Sequence, residues 1–434
     1  MRLLGNKTRL LGDIEALLQD KGVCDGTFID IFCGTAKVGR HFKSRGFRVL
    51  ANDWLASCHA KAVAEVEVSR YPSYRALREK HRRELTSTGF QKSWQQGAFP
   101  FAAGEGTSVT VSNAAMDRAA KPLSDVIHFL GTRVEPEEGL IFRSFCPGGS
   151  HDRRYFTDEN GKRIDGILRF LREGHRQELL SRHELYLLVS ALLDAADRVA
   201  NITGTYGAYL KHFQSSARRP LELVLPTVVR SPSRHRAYRG DSNELVASLK
   251  GDVLYIDPPY NTRQYAANYH ILEILAEYHE IEDLDAYEKR LYGKTGLRPY
   301  EHRKSAYCVA PGRGRGGRDA LTAMTDLILS SRARCVVVSY NEEGLLSRDQ
   351  LGGILALFGG VPSYDFRKNM RQVLYQRFRS DSDRPKGHPS GARNYKVIEG
   401  KKRNQISEWL LFAARASGRK TAGVPKRVGL PGTS

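Results

Sequence analysis

The sequence predicts an α/β fold built on a parallel sheet, and a few short stretches carry that prediction. Thr27 to Phe32 (TFIDIF) is an apolar run that ends in a small-residue turn, CGTAKVG, and a helical stretch follows through Ser44. Arg48 to Ala51 (RVLA) reads as the next strand and closes at Asn52-Asp53. Strand, crossover helix and strand form the unit that generates parallel pairing. Strand signals return at Gly251 to Ile256 (GDVLYI) and Cys335 to Ser339 (CVVVS).

The remaining elements fall into order around these. Residues 8–20 (TRLLGDIEALLQD) place apolar side chains at helical spacing, as do residues 321–330 (LTAMTDLILS), a crossover helix before the strand at Cys335. From about residue 61 the texture changes to Arg, Ser, Gly and Glu with few strand-like runs, and 184–200 (ELYLLVSALLDAADRVA) predicts an amphipathic helix. One α/β domain is therefore expected to be split by a long, mainly helical insertion. The expected division is a first catalytic part at 1–60, the insertion at 61–200 and a second catalytic part at 201–412. Residues 311–318 (PGRGRGGR) and the polar, basic stretch 380–404 read as loops. The tail 413–434, with Arg415, Arg419, Lys420, Lys426 and Arg427 and no acid, is expected to be disordered.

The chain has 434 residues, room for two or three domains at about 150 residues each. Hydrophobic residues are 41% and charged residues 27%, an ordinary globular composition. No apolar stretch approaches the roughly 18 residues that span a bilayer. Asp13 and Glu15 interrupt the apolar run near the amino terminus, so no signal peptide is expected. Six cysteines (Cys24, Cys33, Cys58, Cys146, Cys308, Cys335) form no CxxC pair, which argues against a zinc site or a redox dithiol. A cytoplasmic protein with reduced thiols, no membrane association and no metal is the expectation. Lys and Arg total 68 against 48 Asp and Glu, a net charge of +20. That surplus suits a polyanion partner, and 20 tyrosines offer stacking surfaces. A basic solvated surface would give the same count.

The sharpest string is Asp257-Pro258-Pro259-Tyr260, directly after the apolar run VLYI. Asp and Pro are common turn residues. The carboxyl end of a parallel strand, however, is where open α/β sheets place ligands. A second constellation is Asp30-Ile31-Phe32-Cys33-Gly34-Thr35-Ala36 in the first strand-turn-helix, where small residues let backbone N–H groups approach a ligand.

The tetrapeptide resembles the signature of methyltransferases that methylate exocyclic amino nitrogens using S-adenosylmethionine. The chemistry suits these residue types. An adenine amino nitrogen is conjugated to its ring and is a poor nucleophile. A carboxylate and a backbone carbonyl, each accepting one N–H, favour a pyramidal nitrogen whose lone pair points at the methyl group. Consecutive prolines stiffen the chain, and an aromatic can stack on a base rotated out of the duplex. The resemblance implies that Asp257 and the Pro258 carbonyl hold the amino group and that Tyr260 stacks. It implies a cofactor loop of FxGxG type at Phe32, Gly34 and Thr35, departing from the pattern at Ala36, whose methyl is expected to narrow the approach to the cofactor. Asp53 would bind the cofactor ribose, Asp30 its ammonium, Asp241 its adenine and Gly5-Asn6-Lys7 its methionine part.

Cofactor loop first, long insertion next and DPPY later is the order of the Dam-type (class alpha) DNA adenine methylases. The likeness covers most of 1–60 and 200–412 and extends through YNTRQYAANYHILE, GKTGLR, SYNEEGLL and LYQRFRSD. The stretch NITGTYGAYLKHF (201–213) is similar to modification methylases of restriction systems. The resemblance implies a Rossmann-like methyltransferase sheet with an inserted target-recognition region acting on duplex DNA, and a cognate restriction endonuclease as partner. Arg263, Gln264, Tyr265 and Asn268 would hold the flipped nucleotide or its phosphates, or simply cap the start of a helix, and Tyr340 would wall the base pocket. Three rivals are cytosine-N4 methylation, which favours Ser where Asp257 stands, RNA adenine methylation, and a catalytically silent DNA-binding protein.

Overall fold

The computed structural model describes residues 1, 7–86, 113–314, 316, 318–376 and 405–416. The candidate residues Gly5 and Asn6, the segment 380–404 and residues 417–434 of the tail lie outside the described residues. The start of the expected disordered tail is instead ordered: Ala413 and Ala414 end a strand, and Arg415 donates to the carbonyls of Ser331 and Ala333. The chain divides into two compact units, one comprising Leu3–Ala62, Ser233–Asn268 and Tyr300–Ser434, the other Met1–Arg2, Val63–Pro232 and Tyr269–Pro299.

The first unit is a sheet of seven strands: β1 (Thr27–Asp30), β2 (Arg48–Asn52), β3 (Arg236–Tyr238), β4 (Val253–Ile256), β5 (Cys335–Asn341), β6 (Met370–Gln376) and β7 (Gln405–Ala414). Their spatial order is β3-β2-β1-β4-β5-β7-β6. The first five run parallel, with Ile29 beside both Leu50 and Leu254. β7 is antiparallel to both β5 and β6, and places Glu408 opposite Asn341. The expected strands are all present. Near-continuous apolar runs form β4 and β5 because both are buried over their whole length.

Side chains on one face, among them Ile29, Leu254, Ile256, Val336 and Val338, pack with Met324, Leu327 and Ile328 of the helix Ala320–Ser330 and Leu351 and Leu355 of the helix Arg348–Gly359. Each such side chain contributes roughly 1.5–3 kcal/mol on burial. Phe28 of β1 stacks on Phe42 of the helix Lys37–Ser44 at 4.1 Å. The order of strands reverses between β1 and β4. Their carboxyl ends therefore lie side by side and leave a crevice where the two crossovers diverge.

The second unit is helical, and its described residues carry no named strand. Its main helices are Asn113–Thr132, Asp158–Arg176, Arg182–Val199 and His270–Glu277. The helix expected at 184–200 is Arg182–Val199, begun by a capping box in which Ser181 N donates to Glu184 at 2.9 Å. Asp165 accepts from the N–H groups of Ile141 and Phe142 at 2.9 and 2.7 Å, which satisfies the start of the helix Leu140–Phe145. Buried Arg153 donates to the carbonyls of Ser144, Gly293 and Lys294 and so ties the turn around residue 293 to the helices. Among the described residues no helix is long and apolar enough to cross a membrane.

Candidate active site

Asp30 ends β1, and the chain then turns through Ile31–Ala36 into the helix Lys37–Ser44. The turn needs two left-handed residues, Gly34 at φ 51° and Ala36 at φ 59°. Glycine adopts that geometry freely, whereas alanine is strained there by roughly 1 kcal/mol. Four backbone donors fix the turn. Cys33 N donates to the Asn52 carbonyl at 2.9 Å and Ala36 N to the Cys33 carbonyl at 2.7 Å. Gly34 N donates to Asp53 Oδ2 at 2.9 Å, and Gly39 N to Asp30 Oδ2 at 3.0 Å. The Ala36 side chain is wholly buried and does not line the cavity beside the turn. The expected narrowing by its methyl is therefore not what the structure shows. The departure from glycine is expressed as backbone strain.

That cavity lies in the sheet unit and measures about 720 Å³, the size that encloses a ligand of several tens of atoms. Lys7, Asp30, Phe32, Gly34, Thr35, Asp53 and Asp241 line it, and so do Asp257, Pro258, Pro259 and Tyr260. The candidates from β1, β2, the stretch before β4 and the turn after β4 are thus brought to one space. Asp241 also caps the short helix Ser242–Val246, accepting from Asn243 N at 2.8 Å. Asp53 accepts a second bond from Leu55 N at 3.0 Å.

Of the residues after the tetrapeptide, Gln264 and Tyr265 line the cavity and Arg263, Asn268 and Tyr340 do not. Both polar ends of Gln264 engage the backbone of Ser305: Nε2 donates to its carbonyl at 3.2 Å and Oε1 accepts from its N–H at 2.8 Å. Arg263 is exposed. Asn268 Nδ2 is buried with no partner among the described residues. Tyr340 is buried, accepts from Leu346 N at 3.1 Å and meets the Tyr260 ring edge-on at 6.3 Å.

Electrostatics distinguish the polar groups. Burial pushes Asp30 up to about 8, the Gly39 N–H opposing and the charges of Asp257 and Asp53 adding. Its Oδ1 is buried with no partner among the described residues and waits for a donor. Burial likewise pushes Asp257 up to about 7, Lys7 opposing and Glu408 adding. Burial disfavours the ammonium of Lys7, yet Asp257 and Glu408 together hold it above the ordinary lysine value. Lys7 Nζ stands 3.1 Å from Asp257 Oδ1, 2.5 Å from Glu408 Oε1 and 5.8 Å from the centre of the Tyr260 ring.

Tyr307, Tyr255 and Glu408 are among the residues that escaped the sequence reading. Tyr307 lines the cavity, meets Phe32 edge-on at 4.9 Å and donates to Asn243 Oδ1 at 2.7 Å. It sits in the short 3-10 helix Ala306–Cys308, with no motif around it. Tyr255, two residues before Asp257, also lines the cavity and reads from the sequence as an ordinary strand aromatic. Glu408 carried one signal, a lone acid within the apolar run SEWLLFAA.

The family model of D12 class N6 adenine-specific DNA methyltransferases matches residues 4–310. The chain is 30% identical over 395 residues to the type II methyltransferase M.NlaIII of Neisseria lactamica, covering 90% of this chain and 96% of that protein. It is 31% identical over 383 residues to the type II methyltransferase M.FokI of Planomicrobium okeanokoites, covering 88% of this chain and 50% of that protein. Over 383 residues it is 30% identical to the modification methylase StsI of Streptococcus sanguinis, covering 88% of this chain and 49% of that protein. No solved structure matches the chain.

Proposed function

From the premise that this chain belongs to the D12 class N6 adenine-specific DNA methyltransferases, we propose how its residues divide the work of site-specific adenine methylation. The observation that carries the reading is one cavity lined both by the turn after β1 and by Asp257-Pro258-Pro259-Tyr260 after β4. The donor set suits S-adenosylmethionine. The unpartnered Asp30 Oδ1 offers an anionic acceptor to an ammonium, Asp53 an acceptor to ribose hydroxyls, and Phe32 with Tyr307 a flat aromatic corner for a purine. Bound S-adenosylmethionine supplies an activated methyl group.

The protein's own groups prepare the acceptor. Asp257 and the Pro258 carbonyl each take one N–H of the adenine amino group, which turns its lone pair out of conjugation. Tyr260, braced by Tyr340 and beneath the Lys7 charge, offers a ring for the extruded base to stack on. Orientation supplies most of the acceleration. Gln264 braces the Ser305 loop against the turn, while Tyr265, Arg263 and Asn268 follow the catalytic turn where a flipped nucleotide and its phosphates would lie.

Recognition of the target sequence is assigned to the insertion 61–200, because a catalytic sheet that sees one extruded base must have its flanking bases read elsewhere. The relatives are named type II methyltransferases and modification methylases. A cytoplasmic modification enzyme paired with a cognate restriction endonuclease fits those names.

The test is incubation with tritiated S-adenosylmethionine and either duplex DNA or RNA, followed by nucleoside analysis. N6-methyladenine in duplex DNA is the expected product. N4-methylcytosine, or label in RNA alone, would overturn the assignment. Exchanging 61–200 for the insertion of a related enzyme should change the methylated site and keep the product; an unchanged site would place recognition outside the insertion.

A further inference from the structure

We infer that Glu408 is a positioning residue of the methyl-transfer site, which acts through Lys7 to set the orientation and charge of the Asp257 carboxylate. The inference rests on the reading of Asp257 as the acceptor of the adenine amino group. Glu408 lies on β7, a strand paired on both sides, and its side chain is fully buried. A carboxylate in such a place is costly unless it is paired and hydrogen-bonded. Its partners include Lys7 Nζ at 2.5 Å and Ser339 Oγ at 2.7 Å on Oε1, and Asn341 Nδ2 at 3.4 Å on Oε2. Ser339 and Asn341 belong to β5, which neighbours both β4 and β7, so the sheet itself aims Glu408 at the ammonium.

The consequence is one ammonium shared by two carboxylates. Lys7 holds Asp257 Oδ1 and leaves Oδ2 to accept an adenine N–H, while Glu408 takes the shorter of the two contacts with Lys7. If Glu408 were neutral, Lys7 would belong to Asp257 alone and would make that carboxylate a weaker base. The groups facing Asp257 are Lys7 from the amino-terminal turn, Glu408 from β7, Tyr260 of its own loop, Tyr255 of β4 and Asp30 of β1. As the bond from methyl carbon to N6 forms and the carbon–sulfur bond breaks, N6 gives up one proton. Asp257 accepts that proton and passes it to solvent.

Lys7 and Glu408 must therefore act on Asp257 in opposite directions. Single-turnover methylation of plasmid DNA free of N6-methyladenine is measured across about pH 5.5 to about pH 8.5 with tritiated S-adenosylmethionine. Relative to wild type, the acid limb should move down by at least about half a unit in Glu408→Gln and up in Lys7→Met. Glu408→Asp, which retracts the charge, should give a smaller displacement of the same sign as Glu408→Gln. A readout free of turnover is the carboxyl-carbon NMR titration of Asp257 in 13C-aspartate-labelled enzyme, its signal identified by loss in Asp257→Asn. Its midpoint should follow the same three displacements. Coincident midpoints in wild type and both Glu408 variants, or a rate lowered equally at every pH, would overturn the inference. If Glu408→Gln does not fold, the Glu408→Asp midpoint decides. Failure of the wild-type enzyme to form N6-methyladenine would strike the reading of the site instead, and the carboxyl titration would still test Glu408.

Discussion

Two carboxylates end two adjacent strands of the same sheet, and they are provided for differently. Asp30, at the end of β1, is buried, takes a backbone N–H on one oxygen and has no partner for the other among the described residues. Asp257, just beyond β4, keeps 17% of its side-chain surface and has the ammonium of Lys7 beside it. Burial raises both, to about 8 and about 7. On the proposed reading, Asp30 would take its cation from an arriving ligand, whereas Asp257 has one built in. A fixed charge suits a group that must be poised before the substrate comes, and an open one suits a group whose partner is the ligand itself.

The largest effect should come from breaking the Asp257 side of this contrast. Asp257→Ala is expected to lower methyl transfer by about 10²–10⁴-fold while S-adenosylmethionine binding, measured by calorimetry, changes little. Retained activity would remove Asp257 from the chemistry.

Asp30 should show the opposite division. If only its ionised form pairs with the ligand ammonium, affinity for S-adenosylmethionine should fall by up to about tenfold per pH unit as pH drops below about 8. Asp30→Asn should bind weakly and lose that slope; a variant that keeps wild-type affinity would place the ammonium elsewhere.

The same residue makes a prediction for the ligand-free protein. Asp30 sits at about 8 when folded against an ordinary 3.8, so between those values the folded chain keeps a proton that the unfolded chain has released. Stability then falls as pH rises through that window. Asp30→Asn, whose carbonyl still accepts from Gly39, should raise the melting temperature at about pH 9 by roughly 2 °C or more, with little change at about pH 4. Equal melting curves at both pH values would show that burial does not strain this carboxylate. The smallest effect belongs to Ala36→Gly, which should stabilise the protein by about 1 kcal/mol in urea unfolding through relief of the left-handed alanine. Ligand affinity should stay unchanged, because the methyl does not face the cavity.

Much of this arrangement was legible in local sequence. β1, β2, β4 and β5 announced themselves as apolar runs, and the helices at 37–44, 182–199 and 320–330 by turn chemistry and spacing. β3 spans only Arg236–Tyr238, too short for any periodic signal. β6 and β7 pair as neighbours although 28 residues separate Gln376 from Gln405. The site was legible in the same measure. Asp257-Pro258-Pro259-Tyr260 and the turn after β1 are contiguous strings, so their chemistry could be read in place. Lys7 and Glu408 lie 401 residues apart, and only the pairing of β7 with β5 makes them partners. Lys7 was assigned from its resemblance to a cofactor contact, and its place between two carboxylates required the fold. Tyr340 likewise sits at the expected sheet edge, but its side chain is spent on Leu346 and Tyr260.

The position of β7 in the sheet also bears on biosynthesis. β1 through β5 can pair as soon as residue 341 has left the ribosome, and the cavity walls from Asp30 to Tyr307 precede that point. The second counter-charge to Lys7 arrives only with residue 408, from a strand that must add antiparallel beside β5. A nascent or truncated chain that stops short of β7 would carry the tetrapeptide and the cofactor turn, yet hold Lys7 against Asp257 alone. Among the described strands, the one that completes the charge pattern of the site is thus the last to be made.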